Sequence, residues 1–192
     1  MSKKWKRLHS GLQSAEARDF ERAALPFIRA IWTDAIAPIP VRSTYDKSGI
    51  DILQWKSNNS LSISLAVQCK GFMVHEHDLG RDQIRQCVES IKSFRQSGIV
   101  SDTYVLLHNR IPDNAVFRHT LEKQVNQLKW SGQVKRAYVW GAQKLVQKAS
   151  KAVRRRCAKL LTLNDAKADT YQLDPLLCSP LERVPLEISE LL

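Results

Sequence analysis

The sequence predicts an α/β protein in which helices pack on a central mixed sheet. Four segments carry apolar residues at helical spacing, and shorter runs with strand character lie around and between them. The predicted order is one helix, three strands, and then helix, strand, helix, strand and helix. This order is typical of an α/β sandwich around a mixed sheet. At 192 residues, the chain is long enough to bury the core of one domain without disulfides or a structural metal.

The first predicted helix covers residues 14–32. Its apolar side chains recur at helical spacing and share one face: Phe20, Ala24, Phe27, Ile28 and Ile31. Pro26 falls inside this pattern, where the missing N–H and the ring should kink or split the helix. The segment Ala37-Pro-Ile-Pro40 should end it.

Three strands are predicted next, at 41–45, 50–55 and 61–69. The turn between the first two contains Asp46-Lys-Ser-Gly49. Polar residues at 56–60 have the composition of a hairpin loop between the second and third strands. The later elements alternate between helix and strand, at 81–96, 103–107, 113–128, 136–140 and 142–161.

The chain is expected to form one domain over residues 1–162, followed by a tail or connector over 163–192. Leucines persist in that last segment, but Pro175, Pro180 and Pro185 break any long element there. The segment therefore reads as a tail packed on the body or as a connector to something further.

The charge balance bears most directly on function. The chain has 30 Lys and Arg against 19 Asp and Glu, which gives a net charge of +11. This excess favours a polyanionic partner, because each neutralised phosphate releases condensed counterions. It does not choose between DNA, RNA and an acidic membrane surface.

The cysteines and the N-terminal segment indicate the cellular compartment in which we expect the protein. The four cysteines are widely spread and form no Cys-x-x-Cys pair, so zinc spacing is absent and reduced thiols are the simpler interpretation: Cys69, Cys87, Cys157 and Cys178. The basic N-terminus has no apolar core after it, and no apolar run approaches a membrane span. We expect a soluble, cytoplasmic protein with no membrane partner.

Three residues of the predicted hairpin carry the chemistry. Gln68 and Lys70 are two apart and therefore share a face of their strand, and Asp51 on the preceding strand can reach that face. Carboxylate and amide oxygens suit Mg²⁺, which keeps several waters, and the backbone carbonyl of Cys69 can add a ligand. A lysine beside such a water can position it, deprotonate it or stabilise charge on a phosphate. This set suits metal-assisted hydrolysis of a phosphodiester.

The arrangement Gly49-Ile-Asp51 and Val67-Gln-Cys-Lys70, preceded by a helix carrying Phe20-Glu21, resembles the PD-(D/E)XK nuclease superfamily. The match is to its Mrr-like restriction endonuclease branch, whose motif often has Gln before x-Lys. The resemblance covers roughly residues 14–109. It implies a restriction-endonuclease-like α/β/α sandwich around the central mixed sheet.

The resemblance also implies an activity and the roles of residues. The expected activity is hydrolysis of DNA, double-stranded, with Mg²⁺ or Mn²⁺ as cofactor. Asp51 and Gln68 would hold the metal, Lys70 would assist the water, and Glu21 would add a ligand directly or through water. Defence against foreign DNA is the expected setting, under the control of a regulatory partner, homo-oligomerisation or a further domain.

Other interpretations of the same residues stay open. Asp51 could cap the turn after Gly49 while Gln68 and Lys70 end an exposed strand, although the apolar stretch Leu65-Ala-Val67 before an abrupt polar stop favours a site. Glu21 could be a solvated helix carboxylate, and Glu16 is a weaker candidate. Because an amide ligand carries no charge, a non-catalytic nucleic-acid-binding module is an alternative to the enzyme, as is an RNA nuclease.

The last predicted helix presents cations on one narrow face, which we call the basic face: Lys144, Lys148, Lys151, Arg155 and Lys159. A phosphate-binding surface is one interpretation, and the solvated side of an amphipathic helix is the other. His75-Glu-His77 could hold a transition metal or lie in a loop that touches DNA. Most of the five tryptophans are better explained by core packing than by base stacking.

Overall fold

The computed structural model describes residues 17–41, 44–57, 59–72, 81–109 and 115–165. The predictions for Glu16, for His75-Glu-His77 and for the tail beyond residue 165 lie outside these ranges. Within them, no helix has the length and apolar character needed to cross a membrane.

The described residues form five strands and five helices, and the longer elements have bounds close to those predicted. The helices are α1 (Ala17–Ile31), α2 (Thr44–Lys47), α3 (Arg81–Gln96), α4 (Ala115–Trp130) and α5 (Ala142–Asp165). The strands are β1 (Ile39–Pro40), β2 (Ile52–Lys56), β3 (Asn59–Lys70), β4 (Ser101–His108) and β5 (Val134–Gly141).

The five strands form one mixed sheet in the order β1-β2-β3-β4-β5, which confirms the predicted α/β class with a central mixed sheet. The pairs β1–β2 and β2–β3 are antiparallel, whereas β3–β4 and β4–β5 are parallel. Each parallel connection contains a helix, α3 or α4, because parallel neighbours need a crossover.

Helices cover both faces of this sheet. Neighbouring strand residues point to opposite faces, so Val67 and Ala66 belong to different core clusters. Helices α1 and α5 pack on one face around Phe20, and α3 and α4 pack on the other around Phe94. Strand β4 is therefore buried along almost its whole length, as expected of a central strand covered on both sides.

The predicted strand at 41–45 is wrong. The first strand is the two-residue β1, in which Ile39 pairs with Leu53 and Pro40 with Ile52, and residues 44–47 form a helical turn instead. The strand is short because it lies at the sheet edge and contains a proline, which has no N–H for the ladder.

Two local expectations are also corrected. Helix α1 runs unbroken past Pro26, so of the two predicted effects, a kink or a split, the split does not occur. Phe27 and Ile28, which follow the proline, are almost fully buried, and their packing offsets the lost backbone hydrogen bond. Strand β2 starts at Ile52, which leaves Asp51 in a bend just before the strand rather than on it.

The turn before Asp51 requires a glycine. Gly49 has a φ of 68°, in the left-handed region that side chains other than glycine rarely adopt. A Cβ atom at this position would lie 2.3 Å from the backbone oxygen of Ser90 in α3. Gly49 therefore allows the turn to pack closely against α3, and this contact helps to position Asp51, which follows two residues later.

Candidate active site

The β2–β3 hairpin holds the backbone of Asp51 beside the end of β3. The Asp51 N–H donates to the carbonyl of Val67 over 2.8 Å, and the Asp51 carbonyl accepts from the N–H of Val41 over 2.8 Å. Asp51 is thus bound on both sides, although it precedes β2 by one residue.

The side chain of Asp51 is bound to β3. Its Oδ2 atom accepts a hydrogen bond from the Cys69 N–H at 2.6 Å and another from Gln68 Nε2 at 2.5 Å. Gln68 Nε2 also donates to the Cys69 carbonyl at 3.1 Å. Gln68 is only 5% exposed. This end of β3 therefore differs from the exposed strand end that we would expect if Gln68 and Lys70 had no part in a site.

A cleft of about 360 Å³ opens over these groups. All of the residues predicted for the centre line it: Asp51, Gln68, Cys69, Lys70 and Glu21. Glu21 comes from α1, in a different part of the sequence, and is half-buried where it lines the cleft, while its role there stays a prediction. The sequence motif and the first helix therefore converge on one cavity.

The Cys69 thiol, which points to the α1 face of the sheet, is electrostatically linked to this cleft. Burial raises its pKa well above the usual value, and the charges of Asp51 and Glu21 raise it further, against a lowering effect of Lys70. The thiol therefore stays protonated, and Cys69 can offer a cation its backbone carbonyl rather than a thiolate. Burial likewise raises the pKa of Cys87 to about 12.

The geometry of Gln68 has a direct bearing on metal binding. Its amide nitrogen, not its oxygen, faces Asp51 Oδ2 and the Cys69 carbonyl. Two oxygens this close to one another repel unless a proton donor or a cation lies between them, and here the Nε2 group supplies the donor. A cation at that position would need the amide oxygen in the place of the nitrogen.

The donor set fits a hard divalent cation. The described residues contain no group of three or more His, Cys, Asp and Glu side chains that could hold a metal. Oxygens could nevertheless come from two carboxylates, one carbonyl and, with its amide group reversed, one glutamine: Asp51, Glu21, Cys69 and Gln68. Mg²⁺ commonly binds through few protein oxygens and several waters, so this sparse set suits it better than it suits a transition metal.

Sequence reasoning missed Asn109, which follows β4 and is almost fully buried. Its Oδ1 accepts from the Phe72 N–H at 2.9 Å, and its Nδ2 donates to the Phe72 carbonyl at 2.8 Å. The Asn109 N–H also lies 3.3 Å from the Lys70 carbonyl. One side chain thus extends the β3–β4 pairing past Lys70 and fixes the chain where it leaves the site. The polar residue at the end of an apolar strand was the available signal.

Arg18, Arg22 and Gln86 also line the cleft and were not predicted. Arg18 and Arg22 lie one turn apart on α1, and Glu21 shares their face. A helical-wheel analysis of α1 would have grouped these three charges. The two arginines place positive charge at the mouth of a cavity whose floor carries carboxylates.

The basic face is partly described. Lys144, Lys148, Lys151 and Arg155 are all exposed on α5, whereas the side chain of Lys159 lies outside the described set. Val146, Ala149 and Val153 on the opposite side are buried against the sheet. The predicted amphipathic arrangement of this helix is therefore confirmed, while its role in binding stays a prediction.

Comparisons with protein-family models, with curated proteins and with solved structures found no match for this chain.

Proposed function

We propose that the protein is a metal-dependent DNA endonuclease with a restriction-endonuclease-like fold. The observation that carries this proposal is the convergence of Asp51, Gln68 and the Cys69 carbonyl at a cleft that Lys70 and Glu21 also line. The topology is compatible with such a fold, because the motif lies on an antiparallel hairpin that continues into a parallel half of the sheet.

Each residue has a role in the proposed reaction. Asp51 and Gln68, with Glu21 in support, would hold Mg²⁺ or Mn²⁺, which supplies an activated water and neutralises charge on the phosphate. Lys70 would position the attacking water or stabilise the pentavalent phosphate. Asn109 would keep Lys70 in place by clamping Phe72, two residues further on.

The charge distribution supports a nucleic-acid substrate. Arg18 and Arg22 stand at the mouth of the cleft, and the exposed cations of the basic face lie on another helix of the same layer. Contacts of this kind bind phosphates and carry no sequence information, so binding governed by charge and shape is expected. Defence against foreign DNA, and control by a partner or by oligomerisation, are the biological setting we propose.

Cleavage of supercoiled plasmid DNA tests the activity. The wild-type protein should nick or linearise the plasmid with Mg²⁺ or Mn²⁺ and leave it intact with EDTA. Lys70→Ala should lower the rate by a factor of about 100 or more, as expected for loss of a group that acts on the proton or the developing charge. Asp51→Asn should do the same.

Lys92→Ala is the matched control, since Lys92 is an exposed lysine of α3 outside the cleft. It should cleave at the wild-type rate, and circular dichroism should show all variants folded. If wild type and Lys70→Ala both leave the plasmid intact in either metal but still retard it in a gel, the binding module replaces the enzyme. Matched single-stranded RNA and duplex DNA substrates separate an RNA nuclease from a DNA nuclease.

A further inference from the structure

A set of stacked rings, distinct from the cleft, lies beside the edge strand β5. Tyr138 stacks on Trp140 with ring centroids 5.3 Å apart and planes at 28°, and Trp140 stacks on Trp32 at 5.5 Å and 25°. We call these three residues the aromatic cluster. The rings come from β5 and from the end of α1, so they meet only in the folded protein.

The exposure of the rings differs along the cluster. Trp140 belongs to the buried core under α5, which explains its presence by packing alone. Tyr138 is 37% exposed, one of few large hydrophobic side chains at the surface of the described residues. An exposed ring that stacks on a buried one is held in orientation, because moving it would break the ring contact below.

The surroundings of the cluster are strongly basic. Residues 134–156 contain no Asp or Glu and eight cations, one of which, Lys135, is paired with Asp102 of β4: Lys135, Arg136, Lys144, Lys148, Lys151, Arg154, Arg155 and Arg156. Arg136 is exposed and lies two residues before Tyr138, so both project from the same face of β5. Lys148 Nζ lies 5.9 Å from the Trp140 ring centroid, which joins the aromatic cluster to the basic face.

We propose that this surface binds single-stranded DNA, with an unpaired base stacked on Tyr138 and the neighbouring phosphates on Arg136 and Lys148. Aromatic rings among cations are the combination by which proteins hold single strands, because every base has a π-face to stack and every nucleotide a phosphate to neutralise. Paired bases in a duplex are already stacked and do not offer that face. The inference rests on the proposed function for the identity of the ligand as DNA.

The aromatic cluster and the cleft belong to the same sheet. Trp140 pairs with Leu107, and Leu107 pairs with Cys69, so the cluster and the candidate centre lie on the same row of the sheet, two strands apart. Two interstrand spacings amount to roughly 10 Å.

Fluorescence anisotropy with a labelled oligothymidylate in EDTA tests the proposal without cleavage. Tyr138→Leu should weaken binding by about tenfold, since stacking on one aromatic ring is worth that much or more per base. Tyr138→Phe keeps the ring and should bind within about twofold of wild type. Trp130→Ala removes a ring that is 75% exposed at the end of α4, away from the cluster, and should bind as wild type does.

A labelled duplex of the same length is the second arm. Tyr138→Leu should leave duplex binding unchanged, whereas Lys148→Gln should weaken the binding of both ligands through the loss of a phosphate contact. Equal losses for duplex and single strand, or no loss in Tyr138→Leu, would overturn the proposal. So would binding of single-stranded RNA with no binding of single-stranded DNA.

These outcomes are independent of the plasmid assay. A protein that fails to cleave plasmid can still discriminate between the two oligonucleotides through Tyr138. That result would reject the proposed nuclease activity and support the proposed single-strand binding surface. Conversely, the protein could cleave normally while Tyr138→Leu has no effect on single-strand binding. That result would support the proposed nuclease activity and reject the proposed binding surface.

Discussion

At the scale of single residues, Gln68 is the most informative position. A carboxylate there would place a second negative charge about 2.5 Å from Asp51, at the position that the amide nitrogen now occupies. The amide instead donates to Asp51 and to the Cys69 carbonyl, so both of these oxygens have a hydrogen-bond donor. At the proposed metal site, Gln68 would therefore trade metal affinity for stability of the metal-free protein.

Gln68→Glu tests this trade. Without metal, the variant should be less stable than wild type at neutral pH by about 1 to 3 kcal/mol, because two hydrogen bonds are lost and like charges meet. Added Mg²⁺ or Mn²⁺ should raise its melting temperature more than that of wild type, because a second carboxylate strengthens binding to the native state. Thermal unfolding with and without metal measures both effects.

Gln86→Glu is the matched control, since this residue also lines the cleft but is exposed on α3. Its unloaded stability should remain within about 0.5 kcal/mol of wild type. The proposed effect of Gln68 on stability and metal affinity would be contradicted if Gln68→Glu were as stable as wild type in EDTA and showed no larger response to metal.

At the scale of elements, the turn between α2 and β2 positions the candidate site. Gly98, which follows α3, has the same φ of 68° as Gly49, but a Cβ atom there would meet nothing within 4 Å. An alanine at Gly98 would therefore meet only the conformational strain of a positive φ, whereas an alanine at Gly49 would also meet a steric clash.

Gly98→Ala should lower the free energy of unfolding by about 1 kcal/mol, the strain of a left-handed residue. Gly49→Ala should lower it by about 3 kcal/mol or more, because the new methyl group also collides with the Ser90 carbonyl. Urea unfolding measures both values. Equal losses in the two variants would show that the contact with α3 is not tight.

A second element-scale feature joins three strands at the end of the sheet opposite the cleft. Asp102 of β4 contacts Lys56 of β2 at 2.7 Å and Lys135 of β5 at 2.9 Å. The pKa of Asp102 is lowered, chiefly by the hydrogen bond from Lys56 and then by that from Lys135, against a raising effect of burial. Its stabilising contribution is therefore present above the unfolded pKa and is lost as the pH falls through the folded value.

Asp102→Asn should destabilise the protein by about 1 kcal/mol at pH 7, a modest value because the pairs are partly solvated. The difference from wild type should shrink as the pH falls below about 4, where the unfolded carboxylate takes up its proton. Denaturant unfolding across this range measures it. Asp82→Asn serves as control, since Asp82 is 81% exposed beside Arg85 and should show little effect at any pH.

Elements differ in how far the sequence could predict them. Helix α3 was predicted with its observed bounds, because Cys87, Ile91 and Phe94 recur at helical spacing and are all buried on one side. The two-residue β1 and the four-residue α2 were not, because elements so short hold about one period of their pattern, which is too little to show a repeat. Their conformations come from contacts with the sheet and with α3.

At the scale of the whole molecule, the position of the charges matters more than their sum. The net charge of +11 attracts any polyanion, but only cations that meet phosphates contribute to the salt dependence of binding. The basic face concentrates exposed cations on α5, where no carboxylate of the same helix intervenes before Asp165.

Replacing the four described cations of the basic face by Gln should reduce the slope of log affinity against log salt by about 3 to 4: Lys144, Lys148, Lys151 and Arg155. A control protein with the same net charge replaces exposed lysines of α2, α3 and α4 and should change the slope by less than about 1: Lys47, Lys92, Lys123 and Lys129. Filter binding of duplex DNA at several salt concentrations measures both. Equal changes in the two proteins would show that charge alone, not this face, binds DNA.

By itself, the sequence determined the features that rest on local order. Helical and strand periodicity predicted the main elements. The hairpin brought Asp51 to Gln68 because Asp51 directly precedes β2, which a short turn joins to β3. The composition determined the excess of positive charge. The elements and the hairpin depend on residues close together in the chain, where the spacing of residues in the sequence determines their positions in space.

Only the tertiary structure decided which distant segments meet. It brought Glu21 from α1 to the cleft, placed Asn109 against Phe72 across 37 residues, and stacked Trp32 on the rings of β5. Such contacts follow from how the layers pack on the two faces of the sheet. Periodicity states which side of an element is buried but not which partner buries it, so these contacts could not be read from the sequence.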